Sequence, residues 1–132
     1  MTDTNNAIGV VTFGEGLPGF EATREFIIVT STALDPFTLL QGVGDNAPSF
    51  VAIDPARADA GYRVELDDAD LGRLSASKDA PLVWLALVTP GADGGATVNL
   101  RAPIAINPAS MRGIQVLRAE SPYRLDHRLL AA

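Results

Sequence analysis

PLVWLALVTPGADGGATVNLRAPIAIN, residues 81–107, holds the longest apolar run of the chain and its clearest turn. Residues 82–88 are seven apolar side chains in a row, far short of the roughly 20 that a membrane-spanning helix needs. Bounded by Pro81 on one side and Pro90-Gly91 on the other, such a run predicts a strand buried on both faces rather than a helix. Gly91, Asp93, Gly94 and Gly95 then supply residues that reach positive φ at little cost, so the chain is expected to reverse and return over residues 97–101. On the return Val98 and Leu100 fall on one face, and Thr97, Asn99 and Arg101 on the other. The reading is a long β-hairpin whose second arm is more exposed than its first.

Working outward, residues 8–13 and 26–30 are β-branched and aromatic runs separated by Gly14-Glu15-Gly16-Leu17-Pro18-Gly19. Those glycines around Leu-Pro predict a compact reversal, with Leu17 and Phe20 folding back over the core. A phosphate-cradling loop is disfavoured, because no Lys-Ser/Thr follows and Glu15 and Glu21 flank the turn. Residues 36–41 and 49–53 are two further strand candidates joined by a hairpin-like loop, and residues 54–61 read as a loop. In residues 62–66 Tyr62, Val64 and Leu66 alternate with Arg63 and Glu65, as in a half-buried strand. Asp67 then predicts a helix N-cap, with Asp68 and Asp70 in the first turn, where the helix dipole favours anions. Leu66 and Leu71 are placed as a hydrophobic staple, and Asp70 as a stand-in for the Glu of a capping box. Leu66, Leu71 and Trp84 are expected in the core. Downstream, residues 103–107 and 113–117 flank a reversal. Residues 118–132, with Arg118, Arg124, His127 and Arg128, are open between a flexible end and a docked short helix. The whole is a mainly β chain: a small β-barrel-like or strongly curved antiparallel sheet with one short helix near residues 68–74. It reads as a single domain over residues 1–132, with 124–132 a candidate flexible tail.

Composition narrows the function classes. There is no cysteine and one histidine in 132 residues, so thiolate chemistry is excluded and a zinc site would rest on His127 and carboxylates alone. No Ser or Thr stands in a nucleophile-elbow setting, and Asp67, Asp68 and Asp70 are accounted for by a helix start. The chain is therefore read as not an enzyme, with no catalytic residue, metal or cofactor. No stretch reads as a targeting peptide or a membrane span, which makes the cytoplasm the expected location. Net charge is −6, with residues 1–99 carrying five basic and fourteen acidic side chains and residues 100–132 five and two. Most of the surface should repel a phosphate backbone, so a basic protein is a better partner than nucleic acid.

Four motifs carry a resemblance. Residues 99–107, NLRAPIAIN, resemble the N-L-x-A-P-I-V-I-N signature of the flagellar assembly factor FliW family. Gly16-Leu17-Pro18-Gly19-Phe20 after Thr12-Phe13, Val64 to Asp68, and Ser121-Pro122-Tyr123 resemble the family's G-L-P-G-F turn, F-E-L-D-D step and S-P-Y, in the family's order over residues 12–123. The resemblance implies a regulator that binds the RNA-binding homodimer CsrA, relieves its repression of flagellin mRNA, and is competed for by flagellin. Partner-contact candidates are then Asp59, Glu65, Asn99, Arg101, Pro103 and Asn107, chosen as the exposed members of the motifs and the acidic segment. With only eleven residues ahead of Thr12, the first strand is expected to be shorter than the family's. The runner-up is a chaperone-like or structural module that receives an extended peptide by strand addition.

Overall fold

In the computed structural model, which describes residues 5–129, the central element is the predicted strand, β5 (Val83–Pro90). It is hydrogen-bonded to three others: β4 (Ser49–Ile53), β6 (Ala96–Val98) and β7 (Ile104–Asn107). The remaining strands are β1 (Asn5–Thr12), β2 (Glu25–Ser31), β3 (Phe37–Gly42), β8 (Arg112–Gln115) and β9 (His127–Leu129). The order β4-β3-β2-β1-β8-β7-β5 closes through the β4–β5 pairing into a seven-stranded barrel, and β6 and β9 extend from β5. The sheet is mixed rather than antiparallel, because β1 and β8 run parallel, joined at the single pair Thr12↔Arg112. At eight residues β1 is among the longest strands of the described chain.

Burial on both faces of β5 has a direct cause. Leu85 points into the barrel with Val11, Phe26, Ile28, Leu40, Ile104 and Ile106, and Val83 and Leu87 pack against them. Ala86 and Val88 face outward under a second cluster that includes Ile53, Val98, Tyr62 and Tyr123, and Trp84 faces a third around Leu74, Ala105 and Val116. Two short helices cover these outer faces. The loop expected at residues 54–61 contains α1 (Pro55–Ala58), capped by the Asp54 carboxylate on the Ala56 amide with proline in the first turn. The helix α2 (Asp68–Arg73) has the predicted Asp67 cap and a full capping box, Asp70 N–H to Asp67 at 2.8 Å and Asp67 N–H to Asp70 at 3.2 Å.

Several sequence expectations are corrected. Residues 62–66 keep the alternation of half-buried and exposed side chains but join no ladder: Tyr62 packs on the second cluster and Val64 and Leu66 on the third, so the alternation records side-chain packing and not strand pairing. Of the three leucines near α2, Leu74 is fully buried, Leu66 packs beside it, and Leu71 is half-buried outside the cluster. The return arm of the hairpin is no more exposed than the first: Val98 and Leu100 are buried, and Thr97, Asn99 and Arg101 are half-covered. The cover comes from the tail, which pairs with β6 as β9 rather than fraying or forming a helix; residues 130–132 lie outside the described residues. In the first turn Leu17 folds over the core as expected, whereas Phe20 stays 45% exposed, its ring edge-on to Phe50 at 5.1 Å. Gly16 is required there: its φ is +70° and a Cβ would lie 2.7 Å from the Glu21 Cα.

Candidate interaction surface

The signature residues 99–107 have conformational duties. Asn99 accepts the amides of Arg101 and Ala102 at 3.1 and 3.0 Å, a turn that lets the β5 ladder slip by three residues between β6 and β7. Arg101 sends its guanidinium to the carbonyls of Ala119, Ser121 and Tyr123 at 2.5, 3.3 and 3.5 Å, clamping the tail. Pro103 is buried. Asn107 is buried too; its amide donates to the Leu74 and Ser75 carbonyls at 3.0 and 3.3 Å, capping the C-terminal end of α2. Asn107 and Pro103 are therefore not the exposed motif members the sequence reading took them for. A polar Asn after an all-apolar strand reads as surface; its buried carbonyl partners come from a helix more than thirty positions away.

The two acidic candidates lie elsewhere. Asp59 ends α1, half-buried, with its carboxylate accepting the Gly61 amide at 3.0 Å. Glu65 is exposed on the unpaired segment 62–66, which separates two clefts of about 220 and 230 Å³. One cleft is bordered by Asp54, Tyr62, Glu65 and Trp84, the other by Glu65, Arg118, Glu120 and Tyr123, and Arg63 borders both. The structure thus keeps Glu65 and Asp59 on the side of the barrel covered by α1 and the 62–66 segment, and places Asn107 under α2.

That segment is held from both ends. Tyr62 donates to the Leu100 carbonyl at 2.6 Å, and its ring contacts Tyr123 at a centroid distance of 4.3 Å. Burial pushes the Tyr62 phenol up from its ordinary value, and Tyr123 adds to the effect. The Tyr123 hydroxyl accepts the Arg63 amide at 2.9 Å. Toward α2 the fully buried Asp70 carboxylate binds Arg73 at 2.5 Å and also Arg118; Arg73 reaches Glu15 at 3.5 Å. Burial pushes the Asp70 carboxyl up, but the Arg118 hydrogen bond, the Asp67 amide and the two guanidinium charges outweigh it and hold it below its ordinary value. Sequence reasoning gave Asp70 a capping role only. Its spacing of three from Arg73 was a visible signal, whereas Arg118 joins through the tertiary fold.

For chemistry the inventory is sparse. His127 lies in β9 with its ring 3.2 Å from the Ala58 carbonyl. Among the described residues no three His, Asp or Glu side chains gather as a metal set, and no helix is long and apolar enough to cross a membrane. What the surface offers is clefts with charged rims around a fixed extended segment, an arrangement suited to recognition.

Comparison with known proteins gives the chain's relatives. The family model described as "FliW protein" matches residues 2–129. Proteins named flagellar assembly factor FliW are similar along most of the chain: that of Treponema pallidum is 34% identical, covering 98% of this chain and 87% of its own. Those of Syntrophotalea carbinolica, at 36% (92% and 86% covered), and Thermosipho africanus, at 34% (91% and 84%), are alike. A crystal structure of the flagellar assembly factor FliW superposes with a TM-score of 0.84 at 31% identity, covering 93% of this chain and 86% of that one.

Proposed function

The chain belongs to the FliW family of flagellar assembly factors, and from that premise we propose that it acts as a protein-binding regulator without catalytic activity. It binds a CsrA-type translational regulator, relieves that regulator's repression of flagellin mRNA, and is competed for by flagellin. Its place of action is the cytoplasm. The observation that carries the reading is the family match over residues 2–129, and the acidic balance of residues 1–99 supports it. A regulator that holds RNA phosphates presents a basic surface, which an acidic protein meets as the RNA does. Glu65, exposed between the two clefts, and Asp54 and Glu120 on their rims are the carboxylates assigned to that encounter, with Asp59 beside them.

A gel-shift assay with flagellin leader RNA and the regulator tests this. The chain should free the RNA from the regulator without binding RNA itself, and added flagellin should restore the shifted band. Saturable binding of RNA by the isolated chain, or no release at excess, overturns the reading.

A further inference from the structure

The seam of the barrel leaves a strand edge open. Val116 N–H donates to the Pro103 carbonyl at 2.8 Å in continuation of the β7–β8 register, so Arg112, Ile114 and Val116 turn their backbone groups toward β7. Gly113, Gln115 and Leu117 therefore turn theirs the other way. On that side β1 meets β8 only at Thr12↔Arg112 and then departs, since Phe13 N–H bonds to the Arg24 carbonyl and the turn of residues 14–21 begins. Among the described residues no backbone group answers the Gln115 N–H and C=O or the Leu117 N–H.

Between the diverging chains lies a slot of about 140 Å³, with Glu15, Gly16, Pro18 and Glu21 on one wall and Gln115 and Leu117 on the other. Leu117 is 59% exposed beside it. An unpaired edge is a template for another chain unless charge or proline guards it, and residues 113–117, GIQVL, carry neither. The wall opposite is acidic. Glu21 accepts the Gly19 amide at 3.0 Å and Glu15 lies 3.5 Å from Arg73, and both carboxylates remain largely exposed. Four guanidinium groups stand near: Arg73 and Arg112 border a separate cavity of about 340 Å³ beyond Glu15 and Ile114, Arg24 donates to the Gly14 carbonyl, and Arg118 is engaged by Asp70 and the Leu117 carbonyl.

We propose that the edge at residues 113–117 takes an extended segment of a partner protein as an added strand, in the place β1 leaves after Thr12. A basic side chain of that segment lies between Glu15 and Glu21, and an apolar one covers Leu117. Main-chain bonds to Gln115 supply affinity, and the two carboxylates select charge.

The test uses the isolated chain and a synthetic ten-residue peptide of alternating valine and threonine with two central lysines, against its glutamate counterpart. Amide hydrogen exchange read by NMR should slow at Gln115 and Leu117 by about tenfold or more with the lysine peptide and not with the glutamate one. Gln115→Pro removes the outward N–H without touching the β7 ladder, a position where an edge strand tolerates proline. It should weaken binding by about tenfold or more relative to Gln115→Ala; both variants lose the side-chain bond to the Ala102 carbonyl equally. Should Gln115→Pro fail to fold, Glu21→Lys decides, because with Glu15 remaining the slot loses its net negative charge and the preference for the lysine peptide over the glutamate one should disappear. Protection confined to another edge such as β9, no protection at all, or unchanged binding by Gln115→Pro and Glu21→Lys overturns the proposal. Neither the regulator nor flagellin enters this assay, so its failure leaves the gel-shift reading standing.

Discussion

Asp70→Asn is the perturbation that most directly tests how the α2 region is held. The carboxylate is 1% exposed and serves three elements at once: Arg73 within α2, Arg118 from the tail, and the Asp67 amide at the cap. Breaking a buried charge pair on one side costs about 3–5 kcal/mol when the remaining charge is trapped. Here the guanidinium side chains left behind are 40% and 35% exposed and keep part of their hydration. Asparagine also preserves an acceptor for the cap. Counting two charge-assisted bonds at about 1.5–3 kcal/mol each and discounting for that exposure gives an expected loss of roughly 2–4 kcal/mol. Urea denaturation at neutral pH measures it. The pH dependence supplies an independent check: a carboxyl held below its ordinary 3.8 contributes stability that is complete above that value and is lost as pH falls through the depressed folded value. The gap between wild type and Asp70→Asn should therefore close in strong acid. A loss under about 0.5 kcal/mol at pH 7, the size of an ordinary surface substitution, or a gap that widens on acidification, would refute the reasoning.

Three further outcomes are expected. Leu74→Ala should cost about 2–5 kcal/mol as a buried large-to-small change, while Leu71→Ala, outside the cluster, should cost well under half of that; equal losses in thermal melts would place both leucines in one core. Arg101→Ala removes the clamp on three tail carbonyls, so hydrogen exchange across residues 119–129 should accelerate while β2 and β3 stay protected, and Arg101→Lys should not restore it because an ammonium lacks the planar fork. Glu65→Lys should leave the melting temperature within the range of a surface change and slow association with the basic regulator more at low than at high ionic strength; unchanged rates at both would move that contact off this face.

The hairpin, the turns and the α2 cap were legible because each depends on neighbours in the chain. Residues 82–88 announced a doubly buried strand through an unbroken apolar run, and the capping box lies within four residues. What stayed hidden depends on distant partners. The ladder that residues 62–66 lack was invisible, since alternation records which side is covered and not what covers it. Closure through β4–β5, the parallel seam at Thr12↔Arg112 and the capture of residues 127–129 by β6 are likewise matters of long-range register.

The candidate surface divides along the same line, and the division says what a sequence signature reports. Asn99, Arg101 and Asn107 are polar, and polarity in a short motif invites a reading as contact surface. Their partners are carbonyls and amides that the fold would otherwise leave short of hydrogen bonds: the end of α2, the slipped turn between β6 and β7, and the tail at residues 119–123. Polar groups beside buried backbone are expensive to remove because the orphaned carbonyl or amide bears the desolvation cost. A chain can thus require these residues for shape while its partner touches others. By that logic substitutions at Asn107 should disturb binding only in proportion to lost stability, whereas substitution of Glu65, which closes no ladder and caps no helix, should disturb binding alone. Comparing the two in the same association assay, normalised to the folded fraction at each temperature, separates a residue that builds the surface from one that is the surface.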